Sequence, residues 1–185
     1  MTYFGAITFL WLSLLAYWIY SARGNKPTVY QISPVWRTLS VIGIVAEVIL
    51  IRAYPRFFRH HLYFPTPPLR AAGIIICAAG VAFAIWARHS LGTNWSGTPT
   101  IKEGHELAEK GPYRLVRHPI YAGILLAMIG TGIGSAQTKH LFIIGLAAAI
   151  MWTKLRIEES LMLRQFPQSY PDYMRRTKAL IPYVI

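Results

Sequence analysis

Two polar stretches of this sequence carry side chains that could do chemistry together. The first, residues 88–123 (RHSLGTNWSGTPTIKEGHELAEKGPYRLVRHPIYAG), offers aromatic faces at Trp95, Tyr113 and Tyr121 and imidazoles at His105 and His118. Its glycines let a backbone approach a ligand closely, as at the lip of a small-molecule pocket. The second, residues 154–185, opens with Lys154, Glu158 and Glu159. A spacing of four puts Lys154 and Glu158 on one helix face. Glu159 follows about 100° further round. An ion pair at that spacing on a surface contributes only a few tenths of a kcal/mol. Two adjacent carboxylates near the carboxyl end of a helix are also disfavoured by its dipole. That cost points to a use for them, although aromatic and basic residues equally anchor a chain at a membrane interface. No metal site is expected. Cys77 is the single cysteine, and the adjacent His60 and His61 lack the i, i+4 spacing of a helical metal pair.

The elements that must position these residues are apolar. Of 185 residues, 54% are hydrophobic and 14% charged, against about 25% charged in an ordinary soluble domain. Residues 1–22, 71–87 and 119–138 contain no charged side chain. A helix crossing the ~30 Å hydrocarbon layer needs about 20 mostly apolar residues. Residues 36–51, with Arg37 and Glu47, and 140–153, ending before Lys154, complete a set of five predicted membrane helices. The first run lacks the basic start and small-residue cleavage site of a signal peptide and reads as a retained helix. Glu103 to Lys110 has helical spacing, with Glu106 and Lys110 four apart. Gly111-Pro112 should end that helix, and Pro119 suits the first turn of the next. The expected fold is therefore an all-α integral-membrane domain over residues 1–185. Residues 1–70 supply amino-terminal helices and 71–185 the core, whose inner loop and carboxyl-terminal segment concentrate the polar chemistry and are where a pocket should be sought.

The charge balance of +12 would suggest nucleic acid in a soluble chain. Here its distribution reports orientation instead, and no nucleic-acid partner is expected. Five crossings place Arg23, Lys26, Arg37, Arg88, Lys102, Lys110, Arg114, Arg117, Lys154, Arg156, Arg164, Arg175, Arg176 and Lys178 on one side. Arg52, Arg56, Arg59, Arg70 and Lys139 fall on the other. The positive-inside rule makes the richer side cytoplasmic, with the amino terminus outside and the carboxyl terminus inside. Six of the seven acidic residues share the richer side; the seventh, Glu47, lies inside an apolar helix.

Three ordered blocks resemble the isoprenylcysteine carboxyl methyltransferase family of membrane enzymes. They are Leu91-Gly92-Thr93-Asn94-Trp95-Ser96; His105-Glu106-Leu107 through Gly111-Pro112-Tyr113 to Arg117-His118-Pro119-Ile120-Tyr121; and Glu158-Glu159 followed by Phe166, Tyr170 and Tyr173-Met174. The resemblance covers roughly residues 75–185. It implies S-adenosylmethionine as methyl donor, with S-adenosylhomocysteine as product, held without the G-x-G-x-x-G turn of a dinucleotide fold. It implies that His105, Glu106, Leu107, Ala108, Tyr113, His118, Pro119, Ile120, Tyr121 and Glu158 bind the cofactor, with Thr98 at a further polar position. Lys154 stands where the family has a substrate-orienting arginine. It keeps the charge but loses the two-point fork, so Arg117 and Arg156 are alternative cations for the acceptor. The family's acceptor is a prenylated cysteine carboxylate, and other lipid-like or thiol acceptors stay open. Two other readings also stand: an NADPH-dependent, sterol-reductase-like oxidoreductase, and a non-catalytic membrane module that binds lipid through its basic face.

Overall fold

The computed structural model describes residues 2–24, 28–31, 35–94, 100–102 and 107–182. Each of the five apolar runs forms a helix. The order is α1 (Tyr3–Ser21), β1 (Thr28–Gln31), α2 (Val35–Ala53), α3 (Pro55–Phe58), α4 (Pro67–Leu91), β2 (Thr100–Lys102), α5 (Pro119–Ser135), α6 (Lys139–Gln165) and α7 (Ser169–Arg176). The chain is an integral-membrane protein of the helical class. Helices α1, α4 and α6 are long and apolar enough to cross a membrane. The apolar α5 is shorter, at 17 residues. Helix α2 carries Arg37, Glu47 and Arg52 within its 19 residues.

The heart of the bundle is the α4–α5 seam, the most extensive contact between any two elements. Gly73, Cys77, Gly80, Ala84 and Ala87 recur along α4 at alternating steps of four and three, and Gly123, Ala127, Gly130 and Gly134 do so along α5. Small residues at this spacing let two backbones touch, which is how helices gain packing energy where lipid removes the hydrophobic drive. A Cβ added to Gly73 would lie 2.7 Å from the Gly130 carbonyl, and one on Gly123 2.7 Å from the Ala84 nitrogen. Helix α1 covers this seam through Tyr3, Ile7 and Leu14, which join Cys77, Val81, Ala84 and Ala127 in the core. The Tyr3 hydroxyl donates to the Thr131 carbonyl at 2.7 Å. Helix α2 buries no residue and packs mainly on α6. It leaves Val41, Ile44, Val45 and Val48 for lipid.

The two ends of the bundle are closed differently. At one end, the Leu62 N–H donates to the Ala136 carbonyl at 2.8 Å and the Thr138 N–H to the His60 carbonyl at 3.0 Å. At the other, β1 pairs antiparallel with β2, Thr28 opposite Lys102 and Gln31 opposite Thr100. This ribbon, which the hydropathy pattern does not predict, ties the stretch after α1 to the stretch after α4. Arg88 reinforces the tie. It is 2% exposed, and its guanidinium donates to the carbonyls of Gly92 at 2.7 Å and Ser21 at 2.6 Å.

One local expectation fails. The helix read over 103–110 is absent in its described part: residues 107–109 have no regular structure and Lys110 is extended (φ −101°, ψ 162°). Gly111 has a left-handed φ of 60°, which glycine adopts without a side-chain clash. Pro112 also disfavours helical geometry in the residue before it. Freed from helical spacing, Glu109 instead meets Arg176 of α7 at 3.0 Å.

Candidate active site

The α5 amino terminus organises the site. Pro119 occupies the first helical turn, where its missing N–H costs nothing, and His118 is the residue just before the helix. From there the side chains of His118 and Tyr121 turn toward the carboxyl-terminal half of α6. The two rings stack with planes 1° apart and centroids 5.5 Å apart. The Tyr121 hydroxyl donates to Glu158 Oε1 at 2.7 Å. Lys154 Nζ stands 3.8 Å from the same oxygen, one turn back along α6. Its ammonium also lies 5.2 Å from the Tyr121 ring centre and 6.0 Å from that of Trp36 on α2, within cation–π range.

The adjacent carboxylates have different surroundings. Glu159 is 6% exposed and accepts from Arg117 Nε at 2.7 Å. The Arg117 Nη1 group donates to the carbonyls of Met174 and Thr177. Glu158 is 24% exposed. His118 lies between them, Nδ1 3.6 Å from Glu158 Oε2 and Nε2 3.5 Å from Glu159 Oε1. Both separations exceed an ordinary hydrogen bond. Burial pushes the His118 pKa down, but the two carboxylates that flank the ring outweigh burial and raise it overall. Helix α6 continues to Gln165, so both carboxylates stand well before its last turn and escape most of the dipole penalty.

A second layer fixes this arrangement. The N–H groups of Arg117 and His118 donate to the carbonyls of Lys178 and Ala179 at 2.8 and 2.9 Å. Val116 pairs with Lys178 in a parallel bridge. The Tyr173 hydroxyl donates to the Tyr113 carbonyl at 2.7 Å. Tyr113, Tyr170 and Tyr173 are buried, and burial is the leading cause that raises each phenol's pKa above its usual value. None of the three is therefore a neutral-pH base.

Of the residues singled out from the sequence, the structure gathers His118, Tyr121, Lys154 and Glu158 in one cluster, with Pro119 and Ile120 in the turn that builds it. Tyr113 lies beside the cluster, close enough to feel the charge of Glu158. Leu107 and Ala108 are half-buried in the segment leading to Gly111. Thr98, His105 and Glu106 lie outside the described residues. Arg117 is engaged by Glu159 and two carbonyls rather than facing Lys154. Glu159 and Tyr173 fall in the matched blocks, but the resemblance implies no role for them; the sequence signal for Glu159 is its adjacency to Glu158. In the sequence Arg88 counts only as an orientation charge, because nothing in its neighbourhood marks a buried arginine.

The chain is similar to known proteins over most of its length. The chain is similar to the nickel-cobalt-cadmium resistance protein NccN of Alcaligenes xylosoxydans xylosoxydans, 30% identical over 149 residues, 80% of this chain and 63% of the relative. It is similar to the protein-S-isoprenylcysteine O-methyltransferase of Tribolium castaneum, 27% identical over 72% of this chain and 50% of that protein. A solved structure of the eukaryotic intramembrane Ras methyltransferase ICMT (isoprenylcysteine carboxyl methyltransferase) matches at TM-score 0.55 and 28% identity, over 84% of this chain and 55% of that one. The chain thus spans between half and two thirds of the length of these relatives. Residues 69–169, from the start of α4 to the start of α7, match the phospholipid methyltransferase family model; with more than half of its length matched and a fold shared with isoprenylcysteine carboxyl methyltransferase, the chain belongs to this family.

Proposed function

We propose that the chain is an integral-membrane methyltransferase that moves the methyl group of S-adenosylmethionine to a lipophilic acceptor, the carboxylate of a prenylated cysteine or a similar lipid-like group. The observation that carries this reading is the half-open Glu158. A carboxylate has about four acceptor sites. Tyr121 takes one on Oε1, and Oε2 has only the distant His118. Capacity remains for the ribose hydroxyls or the ammonium of the cofactor, so the donor set fits that group. Glu159, with its side chain 6% exposed and ion-paired to Arg117, is far less accessible to a ligand.

In this reading Glu158, His118, Pro119, Ile120, Tyr121 and Tyr113 hold the cofactor, together with Leu107, Ala108, Thr98, His105 and Glu106 from the inner loop. When bound, S-adenosylmethionine supplies a methyl carbon on a sulfonium, a good leaving group. The protein's task is then alignment and exclusion of water from the nucleophile. An acceptor carboxylate with a pKa of about 3.3–3.7 is already ionised at neutral pH, so no general base is required. Lys154 holds that carboxylate as a point charge, without the fork of an arginine. Arg117, committed to Glu159 and the backbone, is the lesser candidate. The bilayer supplies the acceptor. The basic end of the bundle faces the cytoplasm and the amino terminus lies outside, following the asymmetry of lysine and arginine.

The test is calorimetry of purified protein with S-adenosylhomocysteine and with NADPH. Binding of the first and its loss, about tenfold or more, in Glu158→Gln is expected. Binding of NADPH alone would overturn the reading. Products of a methyl-transfer assay across prenylcysteine, phospholipid amine and thiol acceptors then identify the acceptor class.

A further inference from the structure

The two carboxylates of α6 divide the labour, and the closed one has no assigned task. Glu159 is nearly sealed from solvent and fixed by Arg117, which is itself fixed by the Met174 and Thr177 carbonyls. Burying an ion pair is costly and seldom stabilises by itself. Placed here, the pair has a geometric effect. Its oxygen Oε1 faces one nitrogen of His118 while Glu158 faces the other, so the ring is suspended between two anions. We propose that Glu159, anchored by Arg117, is a positioning residue that suspends the His118 ring between the two carboxylates and so governs how much of Glu158 is left for a ligand.

The inference rests on the reading of Glu158 as the cofactor carboxylate. Its physical content is a competition. A protonated His118 beside Oε2 offsets the negative potential that a ligand ammonium would use. A neutral His118 releases it. The groups that decide the balance are Glu158 and Glu159 on α6, with Lys154 one turn earlier. Arg117 adjoins the ring in sequence, Tyr121 stacks on it, and Tyr113 and Tyr170 lie close enough to interact with the carboxylates. Of these, Glu159 favours the protonated ring without itself being open to a ligand. Removing its charge should let His118 lose its proton at lower pH.

The experiment is a pH series of S-adenosylhomocysteine affinity, by calorimetry, for the wild type, Glu158→Gln, Glu159→Gln and Glu159→Asp. The wild-type affinity should climb as pH rises through the His118 titration. Glu159→Gln should move that climb to lower pH and change the high-pH plateau by less than about threefold. Glu159→Asp, which keeps the charge, should hold the climb near its wild-type position, and it serves as the readout if the glutamine variant does not fold. A Glu159→Gln profile that superimposes on the wild type overturns the inference. So does a Glu159→Asp profile displaced to lower pH, or a plateau that drops in both variants with the climb in place, which is a structural role alone. Unchanged binding by Glu158→Gln overturns the parent reading instead, whatever the Glu159 variants do.

Discussion

The glycine seam between α4 and α5 and the charged cluster where α5 begins beside α6 solve opposite problems. Along the seam there is no charge, and backbones meet because side chains are absent. At the cluster, every ion pair among the described residues gathers at one end of the bundle. The opposite end is tied by backbone hydrogen bonds. The contrast separates holding the protein together from making it bind: the seam should govern stability, and the cluster ligand affinity.

Four substitutions press on that division. Gly80→Ala should have the largest effect, because the added methyl would stand 2.9 Å from the Ala127 Cα and closer still to its nitrogen. Overpacking against backbone costs about 3 kcal/mol, read as a lowered unfolding midpoint in detergent; an unchanged midpoint would mean the seam opens freely. Tyr121→Phe removes a hydroxyl that donates to Glu158. It should weaken S-adenosylhomocysteine binding about tenfold, or about 1.4 kcal/mol, with little change in midpoint. A stability loss as large as that of Gly80→Ala would erase the contrast.

His118 tests the boundary between the two roles. Its folded-state pKa is raised above the ordinary 6.5, so the stability it contributes is fully present below about pH 6.5 and is lost as pH rises through the folded value. Comparing the unfolding midpoints of wild type and His118→Gln across pH should show a difference that shrinks toward alkaline pH; a constant difference would assign His118 to packing. Arg176→Ala should do least. Its partner Glu109 and Arg176 itself are substantially solvent-exposed, and such pairs contribute about 0–1 kcal/mol, less in salt. A midpoint loss that persists in high salt would give α7 a larger structural share than its exposure implies.

Much of this was legible in the sequence because membrane burial writes itself in runs. The five helices, Pro119 at the start of α5, and Lys154 with Glu158 on one face follow from hydropathy and helical period alone. The site as a constellation came from the matched blocks, since no spacing rule brings residue 121 to residue 158. The β1–β2 ribbon joins segments about seventy residues apart, which hydropathy cannot register. The helical spacing of 103–110 does not register the left-handed Gly111 and the following Pro112, beside which residues 107–110 are not helical. Arg88 shows the same limit from the other side. A charge count cannot distinguish an arginine facing water from one buried against two carbonyls.

The arm at residues 177–179 has a consequence for how the protein is made. The hydrogen bonds that Arg117 and His118 donate to Lys178 and Ala179 join residues about sixty positions apart. During synthesis, α4 and α5 are made well before the arm: α5 ends at Ser135 and α6 still has to follow. The apolar seam can therefore assemble first, as the helices enter the bilayer, while the clasp around His118 closes only after translation has passed residue 179. A chain truncated just beyond α6 would keep the apolar seam without its finished binding site, so assembly of the bundle and acquisition of ligand affinity are separable events in the life of this molecule.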